Sequence, residues 1–265
     1  MTSEMPRQAE AKRGVRQIVY AAPKAKRPVL VCGLPGSGYV GKLGADHLID
    51  VFKAKRVAGY SCDTFPPQIN VKEDGTAEPL KAELFHAQIR KGPDLLIFTA
   101  DAQPMTSEGE YELSDAVVSF AKKCGVKTVY TLAAYITGAF SNTPKVFGAA
   151  TSRQMLEKIA EKGVTLMKDG GISGMNGLLI GVAALRGIEG ACLLGETSGY
   201  LVDAAASKAV LETLSRIVGV PVDTEKLKEK AEETQKVISQ LQGMAEQSSE
   251  SVAGPRKDTR PGYIS

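Results

Sequence analysis

Short apolar runs alternate with helix-patterned segments along most of the chain. Val29–Cys32 is continuously hydrophobic and Asp94–Ala100 nearly so, which is typical of strands buried on both faces. Between such runs, apolar residues that recur every three or four positions predict helices. Further strands are predicted at Val15–Ala21, Val57–Cys62, Lys127–Ala134, Val146–Ala149 and Gly190–Leu194. This alternation predicts an α/β protein with a mostly parallel sheet that helices cover on both faces.

Capping residues and glycines mark the limits of the predicted helices. Either Thr106 or Ser107 can cap one helix, since Ser107 precedes Glu110 by a capping-box spacing, and Gly125 marks its end. Asp203 is placed to cap an alanine-rich helix. The predicted helices are Leu43–Phe52, Ser107–Lys123, Ser152–Lys162, Met175–Leu185 and Asp203–Val218.

One segment departs from the parallel pattern. Ile69–Val71 and Leu80–Ala87 are predicted to be two strands joined by the turn Glu73–Gly75, which makes an antiparallel insertion. Nothing in the composition divides the rest of the chain, so we predict one domain over residues 15–222.

The two ends of the chain differ from this domain. Residues 1–14 are polar, and Met1–Arg27 carries seven Lys and Arg against two Glu, which predicts a disordered basic arm. The alternative is a nucleic-acid-binding arm, but a net charge of +3 is too small to favour that partner. Residues 247–265, rich in Ser, Gly, Pro and charge, predict a flexible tail.

Residues 223–246 predict a C-terminal amphipathic helix. Its apolar or small positions step alternately by four and three residues: Leu227, Ala231, Thr234, Ile238, Leu241 and Ala245. Because Ala and Thr weaken this seam, we expect it to line the domain or a neighbouring subunit.

Cysteine usage and hydropathy indicate a reducing compartment. Cys32, Cys62, Cys124 and Cys192 are far apart, which favours free, buried thiols over disulfides or a metal site. No apolar run reaches the roughly 18 residues of a membrane span, and the N-terminus lacks the apolar core of a signal peptide. We therefore expect a cytoplasmic protein without a membrane partner.

A glycine-rich turn, Gly33–Lys42, connects a predicted strand to a predicted helix. Gly36, Gly38 and Gly41 have the GxGxxG spacing that lets a pyrophosphate approach a helix N-terminus. The turn also nearly matches a Walker A loop, but Leu43 stands where a Ser or Thr would bind magnesium. A tight turn that needs small residues is the favoured interpretation, with a ligand site left open.

A second glycine concentration, Lys168–Tyr200, holds nine of the chain's 27 glycines. The glycines before and within the predicted helix are Gly170, Gly171, Gly174 and Gly177. Amides at such a turn can bind phosphate. With Gly181, the same glycines can instead give the helix a smooth face, and we favour packing against the sheet or a sister subunit.

Polar residues follow the predicted strands where an open α/β sheet binds its ligands. Asp101 and Gln103 follow one strand and Glu196 another, so these three residues outline a candidate cleft. Carboxylates paired there would suit acid–base chemistry, although loop hydrogen bonds explain them equally well. No complete catalytic motif is present, so we predict no catalytic residue, metal or cofactor.

Several sequence blocks together resemble the archaeal branch of the PAC2 family of proteasome assembly chaperones. The blocks are GLPGSGYVGKLGADHLI (33–49), GEYELS (109–114), TLAAYITG (131–138), GGISGMNGLLIG (170–181) and CLLGETSGYLVDAAASKAVLETL (192–214). The resemblance covers roughly residues 15–230 in order, and its last two blocks are the most specific.

This resemblance implies a single α/β domain of the phosphorylase/hydrolase-like type without established catalytic residues. It also implies a homo-oligomer that assembles or binds the 20S proteasome through its α subunits. The alternative is a nucleotide- or nucleoside-binding enzyme, ATP-grasp-like or phosphorylase-like, that uses the glycine-rich turns.

The C-terminus is the partner-binding segment that the resemblance implies. Relatives dock on the proteasome α-ring through a tail of the form hydrophobic–Tyr–any residue. Here Tyr263, Ile264 and Ser265 end the chain, and Gly262 precedes the tyrosine. A strict match would place the tyrosine second from the end, so this tail departs from the pattern by one position.

Overall fold

The computed structural model describes residues 7–12, by backbone alone, and residues 14–236. Its helices are α1 (Val40–Phe52), α2 (Ser107–Lys123), α3 (Arg153–Ala160), α4 (Gly174–Leu185) and α5 (Ala204–Val218), and residues 225–236 are also helical. Its strands are β1 (Arg7–Lys12), β2 (Val15–Val19), β3 (Val29–Gly33), β4 (Lys55–Cys62), β5 (Ile69–Val71), β6 (Ala77–Pro79), β7 (Ala82–Ala87), β8 (Leu95–Ala100), β9 (Thr128–Ile136), β10 (Val146–Ala150), β11 (Thr165–Leu166) and β12 (Glu189–Thr197).

A ten-stranded sheet runs in the order β1-β2-β4-β7-β8-β3-β9-β12-β10-β11. Parallel pairing is confined to the central run β8-β3-β9-β12 and to the outer pair β10-β11. The other neighbours pair antiparallel. Among them, β4, β7 and β8 follow one another along the chain without an intervening helix, as antiparallel pairing allows. The predicted α/β fold is therefore confirmed, but within the described residues the main sheet is mixed and not mostly parallel, with four parallel and five antiparallel pairs of neighbours.

The antiparallel insertion differs in detail from the prediction. The turn Glu73–Gly75 joins β5 to β6, and these two short strands form a separate sheet. The later strand, β7, instead lies in the main sheet between β4 and β8. Its residues Ala82 and Leu84 are fully buried in the core on one face of the main sheet, whereas Ile69 of β5 is exposed.

Part of the N-terminal arm is ordered, which corrects the prediction of disorder over residues 1–14. Residues 7–12 form β1, which pairs antiparallel with β2 from Arg7 opposite Val19 to Lys12 opposite Val15. Gly14 has a φ of 83°, which glycine adopts readily, so the chain can reverse sharply there. Residues 1–6 and 13 lie outside the described residues.

Helices cover both faces of the sheet and divide the core into two layers. On one face α2 and α4 pack together, with Leu113 and Leu179 fully buried against the strands. On the other face α1, α3 and α5 contribute the apolar side chains, including Leu48 and Leu211. This arrangement confirms the prediction that helices cover both faces.

The helical residues 225–236 extend the second layer. Leu227 is 2% exposed, and the partly buried Ala231 packs against the same core, as expected for a seam that lines the domain. His47 Nε2 lies 2.6 Å from the carbonyl oxygen of Asp223, which attaches the start of this segment to α1. The seam positions Ile238, Leu241 and Ala245, and the tail 247–265, lie outside the described residues.

Asp94 is a buried carboxylate that joins three segments just before β8. It is 3% exposed, and it accepts hydrogen bonds from the backbone amides of Ile89 and Lys26, each at 2.9 Å, and pairs with His86 Nε2 at 3.1 Å. Burial acts to raise the pKa of Asp94, but these hydrogen bonds outweigh it, so the pKa is lowered.

We expect Asp94→Ala to lower the free energy of unfolding by about 2 kcal/mol at neutral pH, because the buried Ile89 amide loses its acceptor. Since the folded-state pKa is lowered, the carboxylate stabilises the fold fully above its unfolded-state value of about 4. The difference between wild type and variant should therefore shrink as the pH falls below that value. Urea titrations between pH 7 and pH 3 measure it.

Asp74→Ala is the matched control. Asp74 also accepts a backbone hydrogen bond, from Thr76, but it lies on an exposed turn, so its loss should leave stability nearly unchanged. Equal effects of the two substitutions at neutral pH would contradict the role assigned to Asp94.

Candidate functional site

A cleft of about 360 Å³ opens at the carboxyl ends of the parallel strands β3, β9 and β12. We call it the sheet-end cleft. The turn after β3 and the loop before α4 form its sides, so both glycine-rich segments reach the same place. The predicted residues that line it are Gly36, Gly41, Gln103, Gly171 and Gly174.

Close backbone packing accounts for two glycines of the first turn. A Cβ atom on Gly33 would overlap the carbonyl group of Gly41, and one on Gly41 would overlap the carbonyl of Leu132 in β9. The first turn of α1 therefore rests directly on the sheet. Close packing alone therefore requires glycine at these two positions.

Gly38 connects the first turn to α5. Its φ of 61° lies in the left-handed region, and its carbonyl accepts a hydrogen bond from the Asp203 amide at 2.8 Å. Asp203 caps α5 by accepting from the Ala206 amide at 2.9 Å, and its other oxygen accepts from Thr197 Oγ1 at 2.7 Å. The turn, the end of β12 and the start of α5 are thus held as one unit.

Gln103 bridges the two sides of the cleft. Its Nε2 donates to the carbonyl of Pro35 at 2.6 Å, and its Oε1 accepts from the Met175 amide at 2.9 Å. The N-cap residue of α4, Ser173, makes no side-chain capping bond, so Gln103 caps this helix from a distant part of the chain. An amide that could have bound a phosphate is therefore already satisfied.

Lys42, the residue that suggested a Walker A loop, does not line the sheet-end cleft. Its Nζ contacts both carboxylate oxygens of Asp46, one helical turn later, at 2.6 and 2.8 Å. It lines a separate pocket of about 220 Å³ that also includes Asp101. The lysine charge is thus neutralised away from the sheet-end cleft, which argues against a triphosphate site there.

The two predicted carboxylates of the cleft are not brought together. Asp101 Oδ2 accepts from the Lys81 amide at 3.1 Å, which ties it to β7. Glu196 Oε2 accepts from the Lys145 amide at 3.1 Å, which fixes the loop before β10. Neither lines the sheet-end cleft, so the cleft lacks the paired carboxylates that acid–base catalysis would use.

The glycines of the second segment serve different purposes. A Cβ atom on Gly177 would overlap the carbonyl group of Ile172, so α4 folds back tightly on the loop that precedes it. Gly174 faces the Gln103 amide, whereas Gly170 and Gly181 face open space. The predicted smooth helix face is therefore limited to Gly177, and its contact is with the helix's own approach loop.

Two features of this region were not predicted from the sequence. Asn176 lines the cleft, and its buried Oδ1 has no hydrogen-bond partner within residues 14–236. The second feature, which we call the edge patch, is a set of exposed apolar side chains at the end of β9 and on the loops after β9 and β12: Ile136, Phe140, Tyr200, Leu201 and Val202. Apolar residues beside loop glycines were the only signal of this patch.

All four cysteines are free thiols. Cys32, Cys62 and Cys192 are buried, as predicted, and Cys124 is half-buried. Burial raises the pKa of the Cys192 thiol to about 12. In the described part of the chain no group of His, Cys, Asp and Glu could hold a metal ion, and no helix is long and apolar enough to cross a bilayer.

Replacing each of two α4 glycines by alanine in turn tests the contact between Gly177 and the Ile172 loop. Alanine favours a helix over glycine by about 0.5–1 kcal/mol, and Gly181 has room for a Cβ atom, so Gly181→Ala should raise the melting temperature. Gly177→Ala should lower it, because the new methyl group displaces the Ile172 loop, at a cost of about 1–3 kcal/mol. Thermal unfolding by circular dichroism distinguishes them, and a stabilised Gly177→Ala protein would refute the proposed contact.

Comparison with known proteins was consistent with this architecture. The PAC2 family model matches residues 30–242. The uncharacterized protein MJ1210 of Methanocaldococcus jannaschii is 36% identical over 220 residues, which cover 83% of this chain and 84% of that protein. The family match includes all the residues that line the sheet-end cleft.

Solved structures of two Pyrococcus furiosus proteins are also similar to this chain. Pyrococcus furiosus PbaB, an archaeal proteasome activator, superposes with a TM-score of 0.81 at 33% identity, covering 87% of this chain and 100% of that one. Pyrococcus furiosus PbaA, an archaeal homolog of proteasome-assembly chaperone, superposes with a TM-score of 0.73 at 25% identity, covering 91% and 96%. The extent of the family match and the identity to these relatives show that this chain belongs to the PAC2 family.

Proposed function

We propose that this protein is a non-enzymatic proteasome assembly chaperone or proteasome-binding factor that acts on the α-ring of the 20S particle. The observation that carries the proposal is the likeness to PbaB, which extends over the whole of that chain at 33% identity. The likeness to PbaA supports the same role. We further propose that the protein works in the cytoplasm as a homo-oligomer.

The geometry of the cleft supports binding rather than catalysis. The predicted carboxylates, Asp101 and Glu196, each accept a hydrogen bond from a backbone amide at a different place. Both polar atoms of the Gln103 side-chain amide are hydrogen-bonded to the backbone. Groups fixed in this way are poorly suited to moving a proton during a reaction.

The edge patch is the surface of the folded domain that fits a protein partner best. Tyr200 is 79% exposed, and Leu201 and Val202 beside it are exposed as well. Gly199 lies against Ile136, which connects the two loops, and Phe140 shares a groove of about 760 Å³ with Leu201 and Val202. Contiguous apolar residues with an aromatic centre are typical of protein interfaces.

The C-terminal residues are the second proposed contact. Tyr263, Ile264 and Ser265 lie outside the described residues, and their role rests on the family resemblance. A buried tyrosine side chain contributes on the order of 2 kcal/mol, which is weak alone. Several tails on one oligomer would bind far more tightly, because each later contact forms at a high effective concentration.

Removal of residues 263–265 should abolish co-elution with the archaeal 20S particle on size-exclusion chromatography, because the proposed anchoring side chains are lost. A deletion of equal length inside the tail, residues 248–250, is the matched control and should retain co-elution. Both proteins are purified with a free C-terminus. If the 263–265 deletion still co-elutes as the wild type does, the tail is not the anchor.

The edge patch is tested by Tyr200→Asp combined with Leu201→Asp. Both side chains are exposed, so thermal stability should stay nearly unchanged, while capture of free α subunits falls about tenfold or more because charges replace interface side chains. Leu185→Asp, at an exposed position outside the patch, is the control. Equal capture by all three proteins would exclude the patch as the contact surface.

A further inference from the structure

Tyr39 has a backbone conformation that suits few side chains. Its φ of 52° and ψ of 19° lie in the left-handed region, where a bulky residue is an outlier and glycine, Asn or Asp is less strained. Tyr39 is also the N-cap residue of α1, a position that favours extended backbone and a capping side chain, yet its side chain makes no capping hydrogen bond. The turn itself therefore gives no reason for a tyrosine here.

The strained conformation persists because contacts on both sides fix the turn. The close packing of Gly41 holds the start of α1 on the sheet. The Tyr39 amide donates to the Gly36 carbonyl at 2.9 Å, which closes the turn, and the Gly38 carbonyl accepts from the Asp203 amide at 2.8 Å. Backbone strain that the surroundings enforce is concentrated at functional sites, so it motivates a functional hypothesis.

Tyr39 lies beside the edge patch, and its ring is not used in the core. The residue is 48% exposed and contributes to neither apolar layer of the described chain. The planar peptide that joins Gly38 to Tyr39 is the one hydrogen-bonded to Asp203, which directly follows Val202 of the patch. The turn 37–39 also packs against β9, whose last residue is Ile136. A half-exposed aromatic residue thus adjoins both segments that carry the patch.

We propose that Tyr39 is a further contact residue for the partner that the edge patch binds, and that the strained turn keeps it at the rim of the patch. This inference rests on the proposed function, so the partner is the proteasome α subunit. Tyrosine is enriched among the residues that dominate protein interfaces, because its rigid ring buries a large apolar area while its hydroxyl can still form a hydrogen bond. An apolar recess with a polar group at its end is the complementary feature expected on the partner.

Two substitutions of Tyr39 in the full-length protein separate contact from folding. Tyr39→Asn removes the ring and tolerates the left-handed backbone, so the melting temperature should stay the same or rise. Capture of free α subunits should nevertheless fall about tenfold or more, as expected for loss of an aromatic contact at an interface. Tyr39→Phe keeps both the ring and the strain, so it should melt with the wild type and lose much less capture than Tyr39→Asn.

Lys53→Asn is the matched control. Lys53 is exposed and has the same left-handed backbone, with a φ of 49°. It follows the other end of α1, which at 13 residues is about 20 Å long. A left-handed residue is usual at that end of a helix, and the position is remote from the edge patch, so capture should be unchanged.

Four results would overturn the inference about Tyr39. They are wild-type capture by Tyr39→Asn, equally weakened capture by Lys53→Asn, a clear fall in the melting temperature of Tyr39→Asn, and a change in its oligomeric state on analytical ultracentrifugation. The third would make Tyr39 a structural residue, and the fourth would assign it to a contact with a second copy of the chain.

The same capture assay distinguishes failure of this inference from failure of the proposed function. If the wild type captures no α subunits, the proposed function fails and the inference fails with it. If Tyr200→Asp with Leu201→Asp loses capture while Tyr39→Asn retains it, the edge patch stands as the contact surface and only the role of Tyr39 is refuted.

Discussion

The close approach of α1 to the sheet is the constraint on which the rest of the structure depends. The backbone of Gly41 packs against the backbone carbonyl of Leu132 in β9, and the backbone of Gly33 packs against the carbonyl of Gly41. Neither glycine has room for a side chain. Gly44, one turn later, lies near Leu211 and so brings α5 close to the same strands. The turn that enters α1 is consequently fixed at the strand ends, and the sheet-end cleft forms beside it.

Local patterns in the sequence predicted most of the helices and strands but only some of the pairings between strands. Periodicity located the central strands and the five helices within a few residues, since burial on one or two faces leaves a regular pattern. The pairing of β7 with β4 and β8 left no such mark, because partners depend on contacts distant in sequence. β1 was missed because a polar edge strand needs no apolar face.

The candidate functional site, like the fold, could be predicted only in part from the sequence. The sequence predicted separately that the Gly36–Gly41 turn and Gln103 each follow a buried strand. The structure brings them to one cleft, because the carboxyl ends of parallel strands share an edge of the sheet. The sequence did not reveal that Gln103 forms hydrogen bonds with residues 68 and 72 positions away. Nor did it reveal that Oδ1 of Asn176 has no hydrogen-bond partner among the described residues. Asp101 and Glu196 were misplaced because neighbouring backbone amides, which no motif records, hold their carboxylates.

The path of the helical residues 225–236 has a consequence for the surface around the edge patch. The segment starts beside α1, where Asp223 meets His47, and its last described residues, Gln235 and Lys236, line the same groove as Phe140. Lys236 therefore lies at the rim that carries Phe140 and Leu201 of the edge patch. A partner that contacted the edge patch would also meet this end of the helical segment, so the segment widens the surface available to it without any change in the domain.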